Sequence, residues 1–226
     1  MIVIIGASGG LGKYLVEVLS KDSDVIGTYY SHKPEPQLRT EFLQLDITSA
    51  ASIEQFVNTV GNKLNHLVLI NLAGISIDGF GHKMEENTWD RVVDTNLKGN
   101  FLISRALLPF MRQQGWGRII NVSSVVGEIG IPGTGAYSAS KSGIFGLTRT
   151  LASENATKNI TVNALALGYF KVGMISVIKP EIQEQIKSTI PMKRFGDPRN
   201  LELAVRFLIE SDYTTGTVID INGGLF

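Results

Sequence analysis

The chain opens on four apolar positions with no polar one between them, "IVII" at 2–5, and the run stops at Gly6. A strand wetted on one side would alternate, so an unbroken run of this length reads as a strand buried on both faces. Beyond the loop the period changes: Leu11, Leu15, Val18 and Leu19 recur at the spacing of one helical face. The two patterns then take turns. "DVIGTYY", "EFLQLDI" and "HLVLINLAG" read as strands two to four, with an amphipathic helix near 50–63 between the last two. Glu86 to about Gln114 reads as one long helix bent at Gly99, "GRIINVSS" as strand five, residues 136–158 as a helix, "NITVNALAL" as strand six and "GTVIDINGG" as strand seven. Such alternation predicts an α/β chain, a doubly wound Rossmann domain whose mostly seven-stranded parallel sheet carries helices on both faces. One link departs from the rhythm. Between Tyr30 and Glu41 lie about ten residues, Pro34 and Pro36 among them, too few for a full crossover helix.

Composition narrows the function. The 226 residues are 43% hydrophobic and show no repeat, low-complexity tract or linker, so one domain over 1–226 is expected. Lys plus Arg and Asp plus Glu number 21 each, which offers no electrostatic case for nucleic acid or an anionic membrane and points to a small-molecule partner. With no cysteine, disulfides, thiolate catalysis and Cys-held metals are excluded, and His32, His66 and His82 lack the spacing of a metal motif. No apolar run reaches the roughly 18 residues of a membrane span, and "MIVIIG" lacks a basic start, so the expected location is cytoplasmic.

Candidate chemistry begins in the first loop. "GASGGLG" sets Gly6, Gly10 and Gly12 between a strand and a helix, where glycine permits a tight turn and close approach of backbone to a pyrophosphate, and the helix N-terminus supplies unpaired N–H groups. That predicts a dinucleotide. At the end of strand two, where an acid would hold an adenosine 2'-hydroxyl, stand Tyr29 and Tyr30, followed by Ser31, His32 and Lys33; an uncharged strand end with a lysine beyond favours NADP over NAD. Two Tyr–Lys pairs share one spacing, Tyr29 with Lys33 and Tyr137 with Lys141. In a strand, residues four apart are about 13 Å apart, too far to share a substrate atom, whereas on a helix they are neighbours. An ammonium beside Tyr137 is expected to draw its phenol toward neutrality and make it a usable acid or base.

From Gly6 to Gly224 the chain resembles the short-chain dehydrogenase/reductase family. The shared markers come in order: "GASGGLG", "LDI" with Asp46, "NLAG" at 71–74, "TNLKG" with Asn96, "IINVSSVVG" with Ser124, "YSASK" with Tyr137 and Lys141, and "INGG". The resemblance implies that Tyr137 exchanges a proton with a carbonyl or alcohol oxygen during hydride transfer. It implies further that Ser124 hydrogen-bonds that oxygen, that Lys141 holds the nicotinamide ribose, and that Asn96 bends its helix around a water leading to Lys141. Ser123, the neighbour of Ser124 on a strand, should face the other way. Gly6, Ser8, Gly10, Leu11, Gly12, Tyr30, Ser31, Lys33, Asp46, Ile47, Asn71, Ala73, Gly74, Tyr137, Lys141 and Gly168 are the implied cofactor contacts, Asn71 also serving the central sheet.

The chain departs from the family where Leu167, Gly168 and Val172 replace a Pro-Gly and a later Thr, removing a hydroxyl contact to the carboxamide, and where Gly9 stands in place of a basic residue common in NADP-dependent members. Residues 169–191 are expected to cover the substrate. Reduction of 3-oxoacyl groups on a carrier protein is one implied activity: Lys158 fits a docking position, while Gly115 occupies another. Other ketones and secondary alcohols share the possibility, and a non-enzymatic dinucleotide sensor or scaffold is the alternative. A homotetramer or homodimer built on the helices near 98–114 and 136–158 is also implied.

Overall fold

A computed structural model of the chain describes residues 1–173, 175 and 178–226. The predicted alternation is realised as β1 (Ile2–Ile5), α1 (Gly10–Leu19), β2 (Val25–Tyr29), β3 (Thr40–Gln44), α2 (Ala50–Val60) and β4 (Val68–Asn71). There follow α3 (Glu86–Val93), α4 (Gly99–Gln114), β5 (Gly117–Ser124), α5 (Gly135–Asn155) and β6 (Ile160–Leu167), then α6 (Pro180–Thr189), α7 (Pro198–Glu210) and β7 (Val218–Ile221). Among the described residues the seven strands form one sheet in the order β3-β2-β1-β4-β5-β6-β7. Every neighbouring pair is parallel. This is the doubly wound Rossmann architecture.

The unbroken apolar runs are explained by two cores, one on each face. Val3 and Ile5 of β1 and Leu69 of β4 join α2 and α4 on one side; Ile2, Ile4, Val68 and Ile70 join α1 and α7 on the other. Because alternate residues of one strand feed opposite cores, neither parity can be polar. Two elements differ from the expectation. α7 is a helix absent from the sequence-based reading: Asp197 caps it by accepting from the Arg199 amide, Pro198 suits the first turn, and Leu201, Val205 and Leu208 bury one face. The long helix of 86–114 is interrupted by a π-turn at Asp94–Lys98, just before Gly99, rather than simply bent. The link from β2 to β3 carries no helix, in keeping with its length. Of the expected cover at 169–191, α6 is a helix, and Met174, Ser176 and Val177 lie outside the described residues.

Candidate active site

From β1 the chain steps outward to β2 and β3, then returns past β1 to β4 and continues to β7. The loops leaving β1 and β4 therefore diverge, and at such a switch point a crevice opens beyond the carboxyl ends of the strands. Two adjoining clefts occupy it and share Gly6, Ala73 and Gly74. One, of about 510 Å³, lies over the end of β2 and the segment 45–48 and is lined by Tyr30, Asp46 and Ile47. The other, of about 670 Å³, is lined by Ser8, Gly10, Leu11, Ser124, Tyr137, Lys141 and Gly168.

The glycine loop is shaped by backbone packing. Gly6 has φ +86°, and a Cβ there would sit 2.8 Å from the Ala73 backbone, so the ends of β1 and β4 meet at a distance only glycine allows. The Gly6 amide donates to Thr28 Oγ1 at 3.1 Å and the Ala7 amide to the Thr28 carbonyl at 2.8 Å, anchoring the loop to β2. α1 then starts behind Gly9 with no side-chain cap and no acid in its first turn, the kind of helix N-terminus that suits an anion. Gly12, buried in that turn, presses on the Gly6 carbonyl and lies beneath the cleft instead of lining it.

At the other end, α5 delivers Tyr137 and Lys141 on one face, 8% and 3% exposed. The Tyr137 phenol lies within hydrogen-bonding reach of Ser124. Lys141 Nζ is 5.7 Å from the phenol ring centroid and donates to the Val122 carbonyl at 2.9 Å. Asn96, fully buried in the π-turn, accepts from the Ile75 amide at 2.8 Å and donates to the Ile75 carbonyl at 2.9 Å and to Ser140 Oγ at 3.1 Å. Ser140 in turn donates to the Tyr137 carbonyl at 2.7 Å. A Cβ on Gly74 would lie 3.2 Å from Asn96 Oδ1 and 3.3 Å from Lys141 Nζ. The amide and the ammonium therefore rise together beneath that glycine. The structure thus brings Ser124, Tyr137, Lys141 and Asn96 into one cluster.

Burial sets the electrostatics. It pushes the Tyr137 phenol above its ordinary range, opposed by the Ser124 hydrogen bond and reinforced by Tyr169. It also pulls the Lys141 ammonium down to about 8. The phenol's direction corrects the one expected from the Tyr–Lys spacing: its own desolvation outweighs a lysine that is itself desolvated and turned to a strand carbonyl. At neutral pH Tyr137 is therefore a protonated donor.

Other expected contacts lie elsewhere. Ser31 and Lys33 are exposed and outside both clefts, Ser31 Oγ being paired with His32 Nδ1 at 2.8 Å. Asn71 faces the core, its Nδ2 donating to Ser104 Oγ at 3.0 Å and to Asn121 Oδ1 at 2.9 Å. Ser123 and Ser124 do diverge: Ser123 Oγ donates to the Lys141 carbonyl at 2.8 Å, while Ser124 turns to the phenol. Residues absent from the sequence-based set are Thr28, which holds the glycine loop, Tyr169 beside Gly168, and Arg91, the one cation among the described residues lining the smaller cleft. Tyr169 could have been found from its place next to Gly168; Arg91 reaches the cleft only through the fold.

The model of the family described as short chain dehydrogenase matches residues 1–183. The chain belongs to the short-chain dehydrogenase family. Its similarity to curated members extends over nearly the whole length. It is 37% identical to nodulation protein G of Azospirillum brasilense, covering 99% of this chain and 96% of that protein. It is 36% identical to the 3-oxoacyl-(acyl-carrier-protein) reductase FabG of Haemophilus influenzae, covering 99% and 97%. The crystal structure of a proposed gluconate dehydrogenase from Agrobacterium tumefaciens superposes with a TM-score of 0.91 at 29% identity, over 100% of this chain and 95% of that one. As a short-chain dehydrogenase the protein is an NAD(P)-dependent oxidoreductase acting on a small molecule. No helix among its described residues is long and apolar enough to cross a membrane.

Proposed function

We propose that this short-chain dehydrogenase reduces a carbonyl, a 3-oxoacyl group or a related ketone, with Tyr137 as general acid. The observation that carries this is the placement of a protonated phenol and the Ser124 hydroxyl within mutual reach in the cleft that the glycine loop closes. The residues fit a dinucleotide: Gly6 and Ala73 meet without side-chain bulk, the first amides of α1 are uncapped, and two clefts join along the strand ends. When bound, the nicotinamide supplies the hydride or takes it up. Ser124 donates a hydrogen bond to the carbonyl oxygen and stabilises the negative charge that develops there. Tyr137 passes its phenolic proton to the same oxygen, and Lys141 compensates the phenolate left behind. Asn96 holds the Ile75 backbone and the first turn of α5 so that Lys141 and Tyr137 keep their places.

Leu72, Val122, Leu167, Phe170, Val172 and Ile175 give the larger cleft an apolar wall suited to an acyl chain. The relatives named as 3-oxoacyl-(acyl-carrier-protein) reductases favour that substrate class. NADP is the favoured cofactor: β2 ends in tyrosine instead of an acid, with Lys33 just beyond and Arg91 across the smaller cleft. The chain works as one domain and assembles as a homodimer or homotetramer through α4 and α5, where Phe101 is 40% exposed and Gly146 has open space at its Cβ. The test is oxidation of NADPH and NADH with a panel of 3-oxoacyl thioesters and simple ketones by wild type and Tyr137→Phe. Turnover by wild type alone is expected. Equal rates in the two proteins, or cofactor binding without turnover of any carbonyl, would overturn the reading.

A further inference from the structure

Where the chain passes from the π-turn into α4, three polar side chains, Asn96, Asn100 and Ser104, follow one another at intervals of about one turn, and all three are fully buried. Two of them reach other elements. Asn96 grips the Ile75 backbone and Ser140 of α5, and Ser104 Oγ accepts from Asn71 Nδ2 of β4 at 3.0 Å. Asn100 reaches neither. Among the described residues its side chain makes one hydrogen bond, from Nδ2 to the Asn96 carbonyl, while its buried Oδ1 meets no donor from the protein. Ile103 and Leu107, further along the same helix, are core residues, so packing alone gives no reason for an amide at this place.

In a regular α-helix the Asn96 carbonyl is the acceptor of the Asn100 backbone amide. Here the side chain of that same residue competes for it, a kind of bond that bends a helix instead of supporting it. The widened turn lies immediately before, at Asp94–Lys98, where the Gly99 amide donates five residues back to the Asp94 carbonyl. Its own backbone does not fix such a turn in place, since moving it by one residue exchanges one such bond for another. Packing holds its flanks: a Cβ on Gly99 would lie 2.8 Å from Ile47 Cδ1, and one on Gly143 would lie 2.6 Å from Leu97 Cδ2. Neither contact touches Asn96 itself.

We infer that Asn100 is a positioning residue, whose side-chain amide pins the π-turn at the Asn96 carbonyl and so keeps the Asn96 side chain aimed at Ile75 and Ser140. The inference rests on the role proposed for Asn96, Lys141 and Tyr137. Through Ser140, which donates to the Tyr137 carbonyl at 2.7 Å, the pinned side chain sets the first turn of α5. Asn100 itself lines neither cleft.

The experiment compares wild type with Asn100→Leu, Asn100→Ala and Asn100→Ser. Asn100→Leu keeps a branched side chain without a donor; Asn100→Ala and Asn100→Ser are both small, and only the second keeps a hydroxyl able to reach the carbonyl four residues back. Hydrogen exchange of the Ile75 amide, whose acceptor is Asn96 Oδ1, reports the pin without any turnover. It is expected to be about tenfold faster in Asn100→Leu and Asn100→Ala than in wild type, and near wild type in Asn100→Ser. In parallel, kcat should fall about tenfold in Asn100→Leu and Asn100→Ala, with KM for the carbonyl unchanged, and recover in Asn100→Ser. Thermal stability should follow size instead: the two small variants lose about 3 °C of Tm to the cavity, and Asn100→Leu stays close to wild type. A purely structural role would sort activity and stability in the same order. Equal Ile75 exchange in all four proteins would overturn the pin. Faster exchange with kcat unchanged, or a kcat in Asn100→Ser no higher than in Asn100→Ala, would overturn the positioning role. If Asn100→Leu does not fold, the two small variants decide between themselves. Should wild type turn over no carbonyl at all, the proposed function falls, while Ile75 exchange still decides whether Asn100 pins the turn.

Discussion

The two ends of the cleft are built in opposite ways. At the α5 end, Ser124, Tyr137, Lys141 and Asn96 are all buried and tied by hydrogen bonds to Val122, Ile75 and Ser140. At the β2 end, Tyr30 is 67% exposed and Ser31 and Lys33 stand in a helix-free connection outside the cleft. On the proposed function, the difference teaches where each property would be stored. Proton transfer needs groups fixed to a fraction of an ångström in a low dielectric, and a buried network provides that. Discrimination between two forms of one cofactor needs only a charge near the right place, which an exposed segment can offer and lose at little cost in stability.

Substitutions at the buried end should therefore act on turnover and those at the exposed end on cofactor preference. Tyr137→Phe removes the proton donor and is expected to lower kcat/KM by about 10³-fold, measured as carbonyl-dependent NADPH oxidation. Ser124→Ala removes one donor to the developing oxyanion and should cost about 10²-fold in kcat with little change in cofactor affinity. Tyr30→Asp places an acid where a 2'-phosphate would lie, and should shift the NADPH-to-NADH ratio of kcat/KM by about tenfold toward NADH. Lys33→Ala is the mildest: an exposed charge is worth about 1 kcal/mol or less, so NADPH affinity should fall no more than about fivefold. A collapse of turnover in Lys33→Ala, or an altered cofactor ratio in Ser124→Ala, would break the division.

Lys141 sharpens the contrast, because its burial lets stability report on a group proposed to act in the reaction. Its folded value of about 8 lies below the ordinary 10.5, so between those values the folded chain holds fewer protons than the unfolded one. Stability should consequently rise with pH across that window. Measured against Lys141→Met, wild type is expected to gain Tm from pH 8 to 10.5, while carbonyl reduction falls above pH 8 as the ammonium loses its charge. An unchanged Tm difference across the window would mean that the ammonium is solvated.

The sheet was legible in the sequence because strands buried on both faces are mostly apolar at consecutive positions, as "IVII" at 2–5 and "LVLI" at 67–70 are, and the glycine loop because its geometry demands glycine. α7 escaped because its alternation of Leu201, Val205 and Leu208 with charged residues sits behind a stretch already assigned to substrate cover. The clustering of Ser124, Tyr137, Lys141 and Asn96 followed from motif order, but the direction of the phenol's pKa did not. Spacing reveals that Lys141 is near Tyr137; only the fold reveals that both are desolvated. Arg91 and Thr28 were equally invisible, since each joins the site through contacts between segments far apart in the chain.

The π-turn at Asp94–Lys98 has one more implication. A helix widened in this way carries a residue beyond what an α-helix accommodates, which offsets the faces of α3 and α4 by about 100°. Deleting any one residue of "DTNLK" would let the two helices fuse into a regular rod, and Val92, now buried, would swing out of its cluster while Asn96 lost its aim at Ile75. At this point the chain encodes geometry by residue count as well as by residue identity. Single substitutions around Asn96 should be far better tolerated than a single deletion.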